Sequence, residues 1–150
     1  MRISVRLVML CFLLQLSLHG VSAYAASYAV DLDSWLKESS PSEKHGTDVE
    51  LSVKNASADD MRAVLHYDIS GIAADANISS AVAWFWVSGK DDSGDAINVH
   101  RVTANWNENS AKCNTIADDY DAAVSGSFSP INDAVWVGVD ITALVQAWVC

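Results

Sequence analysis

The chain has 150 residues, 51% of them hydrophobic, and its 9 Lys and Arg stand against 19 Asp and Glu. A formal charge of −10 argues against nucleic acid or an anionic membrane as partner, because both are negatively charged themselves. The length is enough for one domain with a single hydrophobic core and too short for two.

Residues 1–25 have the pattern of a secretory signal peptide. Arg2 and Arg6 form a basic start, Leu7 to Leu18 form an apolar run, and an A-x-A pattern at 23–25 marks a cleavage site. The run is too short to span a bilayer. We therefore predict a secreted, extracellular protein with no membrane partner after the leader is removed.

The predicted mature domain covers residues 26–150. Loss of the two leader arginines leaves 7 Lys and Arg against 19 Asp and Glu, a formal charge of −12. Of the three cysteines, Cys11 leaves with the leader, so Cys113 and Cys150 remain. In an oxidising compartment such a pair favours one intrachain disulfide, and intermolecular pairing through Cys150 is the alternative.

Short strands separated by turn-rich segments predict an all-β sandwich. The predicted strands are Tyr28 to Val30 with Trp35 to Leu36, Val49 to Val53, Ala63 to Ile69, Ala81 to Val87, Ile97 to Val102 and Val135 to Asp140. One short helix is predicted after Thr142, which resembles an N-cap. The stretch 104–130 is long for a loop, and Phe128 indicates a further strand inside it.

The strand at 81–87 separates two kinds of side chain. Ala81, Ala83, Phe85 and Val87 share one face of a strand, and the tryptophans at 84 and 86 share the other. Residues two apart along a strand are about 6.6 Å apart, so the two indole rings can form a continuous aromatic strip. Burial of this strip under a loop or a second sheet is the alternative.

Six segments, in order along the mature chain, resemble the secreted DNRLRE domain, which is related to carbohydrate-binding module family 96. They are DSW at 33–35 with SPSEKHG at 40–46, RAVLHYDISGI at 62–72, ISSAVAWFWV at 78–87, INVHRV at 97–102, NWNE at 105–108 and DITALVQAW at 140–148. Two departures stand out. Cys113 occupies a position that is tryptophan in the family, and the closing strands that the family has after the last segment are missing, so the domain is expected to lack its last strands.

The resemblance implies an antiparallel jelly-roll β-sandwich with one short C-terminal helix, and a polysaccharide as partner. Aromatic faces stack on sugar rings, so Trp84, Trp86 and Trp35 are the candidate carbohydrate-binding residues. Trp106, Trp136 and Trp148 are aromatic in the resembled pattern and are expected to pack in the core or at corners. Alginate is a ligand of some relatives, but the charge of −12 favours a neutral glycan here.

Other candidate sites are weaker. Asp91, Asp92 and Asp95 form an acidic turn that could hold a structural calcium ion, although solvated turn residues are the simpler interpretation. Asn55 and Asn77 lie in sequons, which count only in a eukaryote. No two carboxylates are placed by a motif at the separation that glycoside hydrolysis needs, so we predict no catalytic residues and no enzyme activity.

Two alternatives to a glycan-binding module stay open. A structural or adhesive surface module would bury both tryptophans of the 81–87 strand and bind no glycan. An accessory domain separated from a polysaccharide-degrading enzyme would belong to a longer reading frame. The sequence alone does not choose among the three.

Overall fold

A computed structural model describes residues 3–13, 25–90, 95–130 and 132–149. Within these ranges the chain forms nine strands and two short helices. The strands are β1 (Ile3–Leu13), β2 (Ala25–Tyr28), β3 (Val30–Lys37), β4 (Leu51–Val53), β5 (Met61–Tyr67), β6 (Val82–Gly89), β7 (Ile97–Val99), β8 (Gly126–Phe128) and β9 (Val135–Asp140). The helices are α1 (Cys113–Ile116) and α2 (Thr142–Val149).

The strands form three antiparallel sheets. The main sheet has the order β2-β1-β6-β9, with β4 also pairing to β1, and the two smaller sheets are β3-β5 and β7-β8. The all-β class with a short C-terminal helix is thus confirmed. The sheets are small and do not close on one another, so the jelly-roll topology stays a prediction.

The main hydrophobic core lies between the inner face of β6 and β9, helix α2 and the β7-β8 sheet. Ala83, Phe85 and Val87 of β6 are 2%, 6% and 0% exposed, as the alternation at 81–87 predicts. Phe85 stacks on Phe128 of β8 with ring centroids 5.2 Å apart. Phe128 was the residue that indicated a further strand in the long 104–130 stretch, and β8 confirms it.

A second, smaller core lies on the β3-β5 sheet. Leu36 of β3 and Val64 of β5 are buried there with Ala111 and Ile116, and Trp106 packs against this cluster from its edge. The other face of β5 contributes Leu65 and Tyr67 to the main core. Strand β5 therefore contributes apolar side chains to both cores, while His66 near its end is exposed.

Helix α2 begins at Thr142 itself, one residue earlier than predicted, and Thr142 is the first helical residue and not the N-cap. The carboxylate Oδ1 of Asp140 accepts hydrogen bonds from the backbone N–H of Thr142 at 2.8 Å and from its hydroxyl at 2.6 Å. The Thr142 hydroxyl also accepts from the backbone N–H of Ala81 at 2.9 Å. Asp140 therefore satisfies the first helical N–H, and Thr142 joins the helix to the start of β6.

The leader region takes part in the main sheet. Residues Ile3–Leu13, inside the predicted signal peptide, form strand β1. Its cleavage stays a prediction. Among the described residues, neither helix is long and apolar enough to cross a membrane.

Candidate functional site

The outward face of β6 and β9 carries three tryptophans side by side. In the register of this strand pair Trp86 lies opposite Trp136 and Trp84 lies opposite Gly138. The rings of Trp86 and Trp136 have centroids 5.5 Å apart and are tilted by 59°. Trp84 is 38% exposed, Trp136 is 43% exposed and Trp86 is half-buried. We call this surface, formed by Trp84, Trp86 and Trp136, the tryptophan face.

Gly138 holds the ring of Trp84 close to the sheet. A Cβ atom at this position would lie 3.2 Å from Cη2 and Cζ3 of Trp84 and 3.1 Å from Cγ1 of Val82. These separations are shorter than the contact distance between carbon atoms, so a larger residue would displace the ring. The glycine therefore lets the indole lie across β9 instead of standing away from it.

The polar groups at the two ends of the tryptophan face differ. Val82 lies opposite Asp140 at one end, so the carboxylate of Asp140 is on the same face as the indoles. Its hydrogen bonds from the Thr142 hydroxyl and backbone N–H hold the pKa of the Asp140 carboxyl below its ordinary value. At the other end lies Ser88, two residues after Trp86 on β6, so the alternation of the strand places its side chain on the same face.

Trp35, the third candidate from the sequence, does not join the tryptophan face. It lies on β3, in a different sheet, and its ring stacks on the imidazole of His45 with centroids 3.6 Å apart. Its indole N–H donates to Oδ2 of Asp48 at 2.9 Å. One side of the ring and its polar atom are already engaged, so Trp35 anchors the loop that carries His45 and Asp48.

The remaining tryptophans divide between packing and exposure. Trp106 is half-buried against the second core, as expected. Trp148 on α2 and Trp136 on β9 are 39% and 43% exposed, so neither is buried in the core, and packing at a corner stays a prediction for both. The outward direction of Trp136 follows from its alternation with Val135 and Val137, whose side chains are partly buried against the main core.

A cavity of about 780 Å³ lies between the β3-β5 sheet and the inner face of the main sheet. Its walls are largely apolar, with Phe85 and Phe128 deep inside and Trp148 among the lining residues. Burial in this interior raises the pKa of Tyr67 to about 12, so its phenol stays protonated. The lining includes core residues, and we regard the cavity as part of the domain interior.

The structure describes only part of the predicted disulfide and of the predicted calcium site. The Cys113 thiol is free and partly buried, burial raises its pKa, and Cys150 lies outside the described residues. Asp91 and Asp92 also lie outside them, and Asp95 is exposed. Within the described part of the chain no three His, Cys, Asp or Glu residues are grouped to hold a metal ion.

The sequon residues Asn55 and Asn77 are exposed and outside the strands. Glu108 has a structural role, since its Oε1 accepts the backbone N–H of Asp33 at 3.2 Å. A Cβ at Gly46 would lie 2.1 Å from the Glu108 backbone oxygen, which shows how closely the 40–48 loop approaches this residue.

A small all-β domain with adjacent outward tryptophans is the architecture expected of a carbohydrate-binding module, since flat indole rings stack on sugar rings. The model of carbohydrate-binding module family 96 matches residues 24–150, and the chain belongs to this family. No curated protein and no solved structure was found to match the chain. The matched range leaves out residues 1–23, most of the predicted leader.

Proposed function

We propose that the chain is a secreted, non-catalytic module that binds an extracellular or cell-wall polysaccharide through the tryptophan face. The observation that carries the proposal is the pairing of Trp86 with Trp136 beside Trp84 on one face of a family 96 domain. Trp84 and Trp86 give two stacking surfaces along β6, and Trp136 adds a third beside Trp86 across the strand pair. A jelly-roll closure of the mature domain belongs to the same proposal.

The exposure of the tryptophan face favours binding over a purely structural role. A structural or adhesive module would bury the two tryptophans of β6, whereas Trp84 is 38% exposed. Exposed aromatic surface costs solvation free energy, and neighbouring aromatic rings at a surface usually mark an interaction site. A soluble or solid polysaccharide can cover this surface without requiring a deep pocket.

The charges around the tryptophan face favour a neutral glycan over a polyuronate. Asp140 lies on the face itself, and because its pKa is lowered it stays ionised in neutral and mildly acidic solution. Two of the basic residues that could attract a polyuronate are engaged with acids elsewhere, Lys54 with Asp59 and Arg62 with Asp60 at 3.8 Å. A uronate chain on the tryptophan face would therefore meet a like charge.

The test is affinity electrophoresis of the protein in gels that contain neutral polysaccharides or alginate. We expect retardation by a neutral polysaccharide and its loss in the double variant Trp84→Ala, Trp86→Ala. The matched control is Trp148→Ala, which removes an equally exposed tryptophan from α2. Retardation that survives the double substitution would exclude the tryptophan face, and retardation by alginate alone would exclude the neutral ligand.

Two further parts of the proposal have their own tests. Incubation with the retarding polysaccharide should release no reducing ends, because the module is non-catalytic. N-terminal sequencing of protein recovered from the culture medium should begin at Ala26. A start at Met1 or Arg2 in secreted material would contradict the signal-peptide prediction.

A further inference from the structure

Strand β1 holds the main sheet together from its middle. On one side it pairs antiparallel with β6, and on the other it pairs antiparallel with β4 and β2. The paired positions with β6 include Val5 with Val87, Leu7 with Phe85 and Leu10 with Ala83. The backbone of β1 is therefore paired along both of its edges, so β1 is a central strand of the sheet and not an edge strand.

The neighbours of β1 depend on it. Among the described strands, β2 pairs only with β1. Strand β4 has its ladder with β1, and beyond it a single bridge from Lys54 to Met61 at the start of β5. Without residues 3–13 the main sheet would be reduced to β6 and β9, and the backbone groups of β6 that face β1 would lose their partners.

The same residues lie in the segment that the sequence predicts to be cleaved. Removal of residues 1–25 would leave a slot bordered by β6 on one side and by β4 and the rest of β2 on the other. The main core backs the slot at its β6 border, where Phe85 and Val87 are buried, and Leu51 is buried at the β4 border. Unpaired strand edges above an apolar core readily accept another extended segment.

We propose that the space between β6 and β4 is a strand-accepting site, and that the segment Ile3–Leu13 is its occupant in the unprocessed chain. Recognition comes from antiparallel main-chain hydrogen bonds on both edges and from the apolar character of the inserted segment, which has Arg6 as its only charged residue. Processing of the leader then opens the site to an extended apolar strand of the same kind. This inference does not depend on glycan binding.

The first test uses the full chain with a specific protease site introduced between residues 14 and 24. After folding and cleavage, the leader fragment should stay bound through gel filtration in buffer and leave only when the domain is unfolded. A synthetic peptide with the sequence of residues 3–13, added in excess, should exchange with it. Release of the fragment on cleavage, with the remaining domain still folded and monomeric, would overturn the proposal.

The second test needs no cleavage and compares two proline variants of the leader. Leu7→Pro removes a backbone N–H inside β1, whereas Leu16→Pro changes the same residue type outside the described strand. We expect hydrogen exchange of the β6 amides that face β1 to become at least about tenfold faster in Leu7→Pro, equivalent to about 1.4 kcal/mol. Exchange at amides facing β9 serves as the internal reference.

Two results would count against this inference. One is equal exchange in both proline variants, which would mean that β1 does not protect β6. The other is a processed chain that forms a dimer which the 3–13 peptide cannot dissociate, because then a second copy and not the leader segment would be the preferred occupant.

Discussion

Replacing Gly138 by alanine should weaken glycan binding while changing stability little. The new Cβ would lie 3.1 to 3.2 Å from carbons of Val82 and Trp84, where about 3.5 Å or more is normal, so the indole must move outward by a few tenths of an ångström. Trp84 is 38% exposed and can move toward solvent. A strained rotamer costs about 0.5–1.5 kcal/mol. Alanine in a strand returns about 0.5–1 kcal/mol relative to glycine.

The free energy of unfolding should therefore change by no more than about 1 kcal/mol, a shift of roughly 2–4 °C in Tm. Loss of one well-placed aromatic contact costs about 1–2 kcal/mol of binding, a factor of about 5–30 in affinity. Calorimetric titration with the polysaccharide that retards the protein, beside a thermal unfolding scan, measures both quantities. Gly89→Ala is the control, because its Cβ would have nothing within 4 Å. Equal affinity of the two variants would refute the contact of Trp84 with sugar.

Four other substitutions, one of them a control, test the fold by thermal or denaturant unfolding. Phe85→Ala should lower the free energy of unfolding by about 3–5 kcal/mol, because the side chain is 6% exposed in the core. The control Val49→Ala, at a residue that is 79% exposed, should lower it by less than about 0.5 kcal/mol. Similar losses in the two variants would contradict the core assignment. Ala134→Gly should stabilise by about 0.5–1 kcal/mol by relieving a φ of 52°, and a loss of stability would show that this conformation is not strained. Burial and the nearby Glu108 carboxylate raise the pKa of Asp33, so its contribution to stability is present at acidic pH and is lost as pH rises through that pKa. The free energy of unfolding of Asp33→Asn, relative to wild type, should therefore increase as pH rises through the same range. A difference between the two proteins that does not change with pH would exclude the effect.

The alternation of residues predicted the two strands that build the tryptophan face. Val135 to Asp140 was predicted with the observed bounds of β9, and the buried side chains of β6 are those that the sequence placed together. Period-2 patterns predict strands well where one face of the strand is buried and the other is exposed to solvent, because apolar residues then alternate with polar or exposed ones. This condition holds for both strands.

The parts that sequence reasoning missed depend on contacts between distant segments. Helix α1 has only four residues, and its N-cap is Lys112, a residue type that does not mark a helix start, so its sequence signal is weak. The place of β1 beside β6 and the separate β3-β5 sheet are pairings between distant segments, which no local pattern in the mature chain encodes. Trp136 was assigned to packing from family resemblance, although its own alternation indicated the outward face.

The most direct test of the tryptophan face is the affinity of Trp136→Ala for the retarding polysaccharide, compared with that of Trp148→Ala. The two residues are 43% and 39% exposed, so both substitutions remove a similarly exposed indole. Because Trp136 lies 5.5 Å from Trp86 and Trp148 lies on α2, we predict an affinity loss of about 5–30-fold for Trp136→Ala and none for Trp148→Ala. Equal affinities for the two variants, both folded, would contradict the account.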